Sequence, residues 1–335
     1  MKTGIGLLQT TSLPETMRLT QRVEALGYDS IWYAEHNFSR DAVTACAAAA
    51  ALTTRLIIGP CVVPIFTRSP LLMATTFAAL DELSEGRIVA GIGAGSRVLI
   101  KAQGIDFRKP LVALREYVEA CRAVWGASGG HVSYSGEIVR LEDAELDFEP
   151  VRRDLPVWLG PTGPLACELT GEIAEGAALN AFLSPDYARW AIEYLQAGAE
   201  RADRSMDDIE VGMMVVAAVD DSKEAAREYL RPLLAVYLAR LPDIAKRTSL
   251  WGEEGEGWRQ LAAAVDKGGG EAGKPLVGDE LIDEITINGT PDDCREGLQR
   301  YVDAGVNHPI ITVFGDIERG IEELAPARRP VEVTP

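Results

Sequence analysis

The chain has 335 residues, of which 47% are hydrophobic and 25% charged, and its formal net charge is −18. This composition is typical of a soluble enzyme, and the length allows one large α/β barrel or two smaller domains. The negative charge argues against nucleic acid or an acidic membrane as a partner, although it allows an anionic cofactor held by a local group of donors. Without an apolar run long enough to span a bilayer, and without a signal-peptide pattern, the sequence predicts a cytoplasmic enzyme.

Cysteine and histidine content limits the metal and redox chemistry. The five cysteines are scattered, form no CxxC pair and are odd in number, so we expect reduced and mostly buried thiols. The three histidines are His36, His131 and His308. So few histidines, with no cysteine pair, do not predict a structural zinc site or another metal site.

Strand and helix patterns alternate along the chain. In chain order, the predicted strands are Gly4 to Leu8, SIWYAEH, LIIGPCVV, RIVAGIGAG, PVWLG, GAALNAF, EVGMMVVAAV and HPIITVF. The helices predicted between them include Pro14 to Gly27, RDAVTACAAAAALT, SPLLMATTFAALDELSEGR, GPLACELTGEIAEG, SPDYARWAIEYLQAGAERA, a long region from Ser222, and TPDDCREGLQRYVDAG. Several of these helices have a proline in the first turn and a glycine near the end. Eight strands alternating with helices predict a closed (β/α)₈ barrel of the TIM type.

Two segments interrupt this alternation within the single domain that we expect over residues 1–335. Residues 131–150 alternate with a period of two around a Ser-Gly turn, which predicts a β-hairpin inserted before the fifth strand. Residues 250–289 are rich in glycine, glutamate and lysine. They predict a flexible insertion over the barrel mouth, with some helix around Trp258 to Val265.

The second predicted strand ends at Glu35-His36, where a (β/α)₈ barrel places its active site. His36 can move a proton near neutral pH, so its position at a strand end favours a catalytic role over a structural one. Glu35 either orients His36 or lies in a buried salt bridge, because adjacent strand residues face opposite sides. We therefore predict His36 and Glu35 as the catalytic residues.

Two glycine-rich strand ends predict a site for a phosphate-bearing ligand. The fourth strand ends in GIGAGS, and the fifth ends in GPTGP at the start of a helix. Glycine lets a ligand approach the backbone closely, and a helix start offers unpaired N–H groups to an anion. A plain tight turn is the alternative for each loop. The candidate residues are Gly93, Gly95, Ser96, Gly160, Thr162, Gly163 and Pro164.

Other motifs and cationic residues give weaker indications of function. Neither GxGxxG nor a P-loop is present in its expected form, and GxSxG and HExxH are absent, so a dinucleotide fingerprint, a serine nucleophile and a zinc protease site have no local support. Arg68 and Lys101 either add positive charge around an anionic ligand or are solvated surface charges. Trp32 and Tyr33 are predicted to pack in the core.

Four stretches of the chain together resemble the luciferase-like monooxygenase superfamily. They are SIWYAEHNFSRD, LIIGPCVVPIFTRSP, LDELSEGRIVAGIGAGS and PVWLGPTGPLACELTGEIAEG, in this order. The greatest similarity is to the deazaflavin branch, typified by methylenetetrahydromethanopterin reductase, which uses coenzyme F420. The resemblance extends from Met1 to about Ser205 and over the last helix and strand.

The resemblance implies a bacterial-luciferase-like barrel with a flavin-type cofactor. It implies a non-prolyl cis peptide at Cys61-Val62, behind the isoalloxazine ring, and places His36 near the reactive edge of that ring. It further implies that Gly95, Ser96, Thr162 and Gly163 contact the tail and phosphate of the cofactor. A homodimer is also implied, through helices that include Ala42 to Leu52 and Leu71 to Leu83.

Three functions follow from the resemblance. The first is an oxidoreductase that transfers a hydride between coenzyme F420 and a small organic substrate, with His36 acting as general acid/base or orienting the substrate. The second is an FMN-dependent monooxygenase, which uses O₂ and takes reduced flavin from a separate reductase. The third is a non-catalytic flavin-binding barrel. Many deazaflavin relatives have aspartate where this chain has Glu35, which favours flavin, whereas the GPxVxxxxTRxP pattern favours deazaflavin.

Overall fold

The structure, a computed structural model, describes residues 1–8, 10–35, 39–127 and 129–326. The strands are β1 (Gly4–Leu7), β2 (Ser30–Tyr33), β3 (Ile57–Pro60), β4 (Val63–Pro64), β5 (Ala90–Gly93), β6 (Val132–Ser135), β7 (Arg140–Ala144), β8 (Val157–Leu159), β9 (Gly176–Leu179), β10 (Glu210–Val219), β11 (Ile287–Gly289) and β12 (His308–Val313). The helices are α1 (Leu13–Ala25), α2 (Ala42–Leu52), α3 (Pro70–Leu83), α4 (Arg97–Ala102), α5 (Pro110–Gly126), α6 (Pro164–Ile173), α7 (Pro185–Arg201), α8 (Lys223–Arg240), α9 (Pro242–Ala245), α10 (Glu256–Gly273), α11 (Asp279–Ile285), α12 (Pro291–Asp303) and α13 (Ile317–Glu323). Over the described residues, none of these helices is long and apolar enough to cross a membrane.

A closed parallel barrel forms the centre of the molecule. Its strand order is β3-β2-β1-β12-β10-β9-β8-β5-β4. β3 and β4 are two parts of one predicted strand, interrupted at Cys61 and Val62. The pairing of β4 with β5, together with a parallel bridge between Ile58 and Ile88, closes the ring. The predicted (β/α)₈ barrel is therefore confirmed, and each of the eight predicted strands lies in it.

Capping side chains fix the starts of the helices that follow the strands. The hydroxyl groups of Ser12, Ser69, Ser184 and Thr290 each accept a backbone N–H from the first turn of the following helix. Each of these helices also has a proline at its first or second position. Because proline has no N–H to lose there and its φ suits a helix, these sequences begin helices at defined residues.

The hairpin expected before the fifth barrel strand is present as the antiparallel pair β6 and β7. A carboxylate of α5 holds its turn in place. Glu116 accepts the backbone N–H groups of Glu137, Ile138 and Val139 at 2.7, 2.8 and 2.9 Å.

Residues 250–289 are more regular in the structure than the sequence predicts. The helix expected around Trp258 to Val265 is part of the longer α10, and the segment ends in β11, which pairs in parallel with the end of β10. The glycines that suggested flexibility allow close helix packing. A Cβ at Gly270 would lie 2.4 Å from the Pro232 carbonyl oxygen of α8, and one at Gly273 would lie 2.9 Å from Ala235 Cβ. We call residues 223–285, from α8 to α11, the helical insertion.

Two tryptophans fill the amino-terminal half of the barrel. The ring centroids of Trp32 and Trp158 are 4.5 Å apart, and the His308 ring packs edge-on against both. Glycines make room for these rings, because a Cβ at Gly176 or at Gly212 would lie 2.3 Å from the Trp158 ring. This half of the barrel is therefore packed core, which leaves the carboxyl ends of the strands as the place for a ligand.

Hydrogen bonds satisfy the polar atoms of this core. Trp32 Nε1 donates to Ser30 Oγ at 2.8 Å, and Ser30 Oγ lies 2.6 Å from His308 Nε2. On its other side, His308 Nδ1 lies 2.8 Å from a Glu210 carboxylate oxygen, and Lys2 Nζ pairs with the same carboxylate at 2.9 Å. Both ring nitrogens of His308 are thus engaged. His308, Ser30 and Glu210 are each the first residue of a strand, so this group lies at the base of the barrel.

Substitution of Gly176 by alanine tests this packing. The added methyl group would collide with the Trp158 ring, so we expect Gly176→Ala to lower the free energy of unfolding by about 1–3 kcal/mol, the usual cost of overpacking a core. Urea unfolding followed by fluorescence measures the change. Gly126→Ala is the matched control, because a Cβ there meets no atom within 4 Å. Equal stability of the Gly176 variant and the wild type would contradict the tight fit.

Candidate active site

The carboxyl edge of the barrel brings together three of the predicted cofactor-binding segments. They are the Cys61-Val62 interruption after β3, the loop after β5 and the loop after β8. The remaining predicted element, the end of β2, is described up to Glu35, and His36 lies outside the described residues.

The Cys61-Val62 peptide is cis, as predicted. The side chain of Val62 lies against the ends of β5 and β8. A Cβ at Gly93 would come within 2.5 Å of Val62 Cγ2, and a Cβ at Gly160 would come within 3.1 Å of the same atom. Gly93 and Gly160 thus make room for Val62, whereas the sequence analysis expected them to make room for a ligand.

Cys61 forms part of an apolar floor at the barrel mouth. Its Sγ lies 3.6 Å from Met214 Sδ of β10. Burial raises the pKa of the Cys61 thiol to about 12, so this cysteine is neutral near pH 7. A neutral, half-buried thiol is suited to packing against a ring and unsuited to nucleophilic attack.

The loop after β8 offers open space at a helix start. Gly163 precedes Pro164, the first residue of α6, and a Cβ at Gly163 would meet no atom within 4 Å. The Tyr187 hydroxyl of α7 donates to the Thr162 carbonyl oxygen at 2.9 Å and so fixes the loop. Because the first turn of a helix leaves N–H groups without intrahelical acceptors, an anion can bind here.

The loop after β5 is exposed and sharply turned. Gly95 has a φ of +75°, which L residues rarely adopt, and a Cβ there would lie 2.9 Å from Pro64 Cβ. Ser96 begins α4 without a capping bond from its side chain to that helix. Its half-buried hydroxyl can therefore serve a ligand at the mouth.

Glu35 binds the start of α2. Its carboxylate accepts the Ala42 backbone N–H at 2.7 Å, next to Asp41, which caps the same helix. Burial raises the pKa of Glu35, the negative charge of Asp41 adds to this, and Arg68 opposes it. Arg68 itself is paired with Asp41. The charge of Arg68 is thus engaged within the fold, and Lys101 is exposed on α4.

Sequence analysis missed an aromatic cluster at the mouth. Phe182 follows β9 and Phe314 follows β12, and the Tyr237 ring of α8 packs on them, with centroids 4.7 and 6.2 Å away. Since both phenylalanines lie at the carboxyl ends of barrel strands, α8 crosses this edge of the barrel. Tyr237 lies on a long helix outside the recognisable stretches, and no local pattern marks it.

Arg247, which follows α9, was also missed. Its guanidinium carbon lies 4.2 Å from the centroid of the Trp190 ring of α7. The Trp190 ring in turn packs against Tyr187, with centroids 5.2 Å apart. The helical insertion thus brings a cation next to the residue that holds the loop after β8.

The chain matches the model of a known protein family. Residues 1–308 match the family described as luciferase-like monooxygenase. The chain belongs to this family. The predicted resemblance is thereby confirmed, and with it the type of barrel.

Relatives of this luciferase-like protein include reductases and a dehydrogenase. It is 31% identical over 312 residues to 5,10-methylenetetrahydromethanopterin reductase of Archaeoglobus fulgidus, covering 92% of each chain. It is 26% identical over 322 residues to F420-dependent glucose-6-phosphate dehydrogenase of Intrasporangium calvum, covering 89% of this chain and 88% of that protein. The solved structure of coenzyme F420-dependent tetrahydromethanopterin reductase from Methanopyrus kandleri superposes with a TM-score of 0.86 and 26% identity, covering 97% of both chains.

Proposed function

We propose that this luciferase-like protein is an oxidoreductase that transfers a hydride between coenzyme F420 and a small organic substrate. The observation that carries the proposal is the likeness to the F420-dependent reductase of Methanopyrus kandleri, which extends over 97% of both chains. Reductases and a dehydrogenase named for different substrates are among the relatives. We therefore assign the cofactor and the reaction type, and leave the substrate at the level of a small organic molecule.

The residues at the mouth fit such a cofactor. The ring would lie against Cys61 and Val62, where a neutral thiol and an aliphatic side chain form an apolar surface. The phosphate and tail would lie along Gly95, Ser96, Thr162 and Gly163, where a helix start and open space suit an anion. When bound, the deazaflavin supplies the ring carbon that gives or accepts the hydride.

The chain itself contributes positioning, exclusion of water and a proton. His36, which follows β2 in the sequence, would donate or remove a proton at the substrate atom next to the one that exchanges the hydride. Glu35, the neighbour of His36 in the sequence, would act as a residue that positions His36. Its carboxylate binds the start of α2 and so fixes the end of this segment. The cluster of Phe182, Tyr237 and Phe314 would exclude water from one side of the mouth.

We also infer a homodimer through α2 and α3. These neighbouring helices expose the leucines Leu52, Leu72 and Leu83, with exposed fractions of 45%, 51% and 49%. Several large apolar side chains exposed on adjacent helices are typical of an interaction surface. The family resemblance supports the same face.

A binding titration tests the cofactor assignment. We expect micromolar binding of coenzyme F420 and weaker binding of FMN, followed by absorbance and fluorescence with each cofactor oxidised and reduced. Such a result would justify a substrate screen of carbonyl, imine and alkene compounds. Tight binding of reduced FMN without binding of F420 would contradict the proposal, and oxygen uptake would become the assay.

Replacement of His36 tests the proton transfer. We expect His36→Ala to bind the cofactor as the wild type does, while kcat falls by about 10²–10⁴-fold, the usual contribution of a general acid or base. His131→Ala is the control, because His131 pairs with Asp143 and Glu145 on the hairpin. Full turnover of the His36 variant, with the substrate found in the screen, would rule out the role.

A charge placed on the α2–α3 face tests the dimer. We expect Leu72→Glu to convert the dimer into a folded monomer, because a carboxylate cannot be buried unpaired in an apolar interface. Sedimentation velocity measures the change. Leu276→Glu, at an exposed leucine of the helical insertion, should leave the dimer intact. A wild-type chain that sediments as a monomer would contradict the inference.

A further inference from the structure

Arg247 differs from the arginines of α7, the helix that carries Trp190. Within the described part of the chain, no carboxylate forms an ion pair with Arg247, although the protein has 51 acidic residues against 33 basic ones. By contrast, Arg189 and Arg201 on α7 pair with Asp186 and Glu168. Arg247 is half-buried and stacked over the Trp190 ring, which orients the guanidinium without using its N–H groups.

The surroundings of Arg247 place it beside the loop after β8. Trp190 packs on Tyr187, and the Tyr187 hydroxyl donates to the Thr162 carbonyl oxygen at 2.9 Å. Burial raises the pKa of Tyr187 and of Cys167 in α6, and the positive charge of Arg247 opposes both shifts. The guanidinium therefore lies over Trp190 of α7, near Tyr187 and near Cys167 of α6.

In this acidic protein, binding of an anionic ligand is favoured by a cation that is not already paired with a carboxylate. The net charge of −18 produces a field that disfavours anions in general. The side chain of coenzyme F420 carries a phosphodiester followed by glutamate carboxylates, so its binding must be balanced locally. A planar guanidinium can bind a phosphate or a carboxylate through two parallel hydrogen bonds. Arg68, which the sequence suggested for this purpose, is already paired with Asp41.

We propose that Arg247 binds the anionic side chain of the cofactor, from the helical insertion and opposite the loop formed by Thr162 and Gly163. This assignment rests on the proposed F420-dependent function. It makes the insertion part of the cofactor site, so that cofactor binding joins residues 223–285 to the barrel.

Three deazaflavins distinguish the parts of the cofactor in a fluorescence titration. They are coenzyme F420, the form with the phosphate but without glutamates, and the parent compound that lacks both. We expect Arg247→Ala to raise the Kd of F420 about tenfold, the effect of losing one charged hydrogen-bonded contact, and to leave the Kd of the parent unchanged. An equal loss with the glutamate-free form identifies the phosphate as the partner, whereas a smaller loss identifies the carboxylates.

Two further variants complete the experiment. Arg189→Ala removes an arginine from α7 next to Trp190 in the sequence, where it pairs with Asp186, and should bind all three compounds as the wild type does. Arg247→Lys keeps the charge without the planar fork, so it should bind F420 with an intermediate Kd, and it replaces the alanine variant if that protein does not fold. The salt dependence of F420 binding should be weaker in Arg247→Ala than in the wild type.

The outcomes separate this assignment from the proposed function. If the wild type binds F420 and Arg247→Ala binds it with the same Kd, the role of Arg247 is overturned and the proposed function stands. An equal loss for all three deazaflavins would also overturn it, because the residue would then act on the fold. A wild-type protein that binds none of the three would overturn the function itself.

Discussion

The packing of two indole rings in the base of the barrel determines where everything else can lie. Trp32 and Trp158 need more room than a strand of ordinary side chains leaves, and glycines at 59, 176 and 212 provide it. Because the rings fill the amino-terminal half, a ligand can enter only at the carboxyl ends of the strands. The cis peptide, both glycine-rich loops and the aromatic cluster all lie at that end.

The two histidines that the structure describes are both engaged within the fold. His308 is part of the core, bonded to Ser30 and Glu210. His131 lies on the hairpin and pairs with two carboxylates there. Neither is available to a substrate at the mouth, which supports the proposal that proton transfer depends on His36. Glu35 holds the start of α2 through the Ala42 N–H.

Sequence could predict the features that depend on short-range chemistry. Helix starts with Ser-Pro or Thr-Pro, glycines at turns and apolar strands gave the barrel and its eight strands, and a family pattern gave the cis peptide at Cys61-Val62. It could not predict contacts between distant segments. The three residues of β11 are too few to show a period, and the role of Gly93 depends on Val62, some thirty positions earlier. The glycine-rich segment that includes Gly270 and Gly273 suggested flexibility, whereas in the fold these glycines allow the close approach of α8.

The helical insertion holds Tyr237 and Arg247, two residues near the proposed site that the sequence analysis did not name. Barrel strands and loops up to about residue 205 supply the surface proposed for the cofactor, and proteins named for different substrates are similar to this chain over about nine tenths of its length. The insertion contributes Tyr237 above the mouth and Arg247 beside the proposed site of the cofactor tail. The helical insertion thus borders both the part of the mouth proposed for the substrate and the part proposed for the cofactor tail. A change of sequence within it can alter substrate choice without disturbing the tryptophan-filled base, since the two are held by separate sets of contacts.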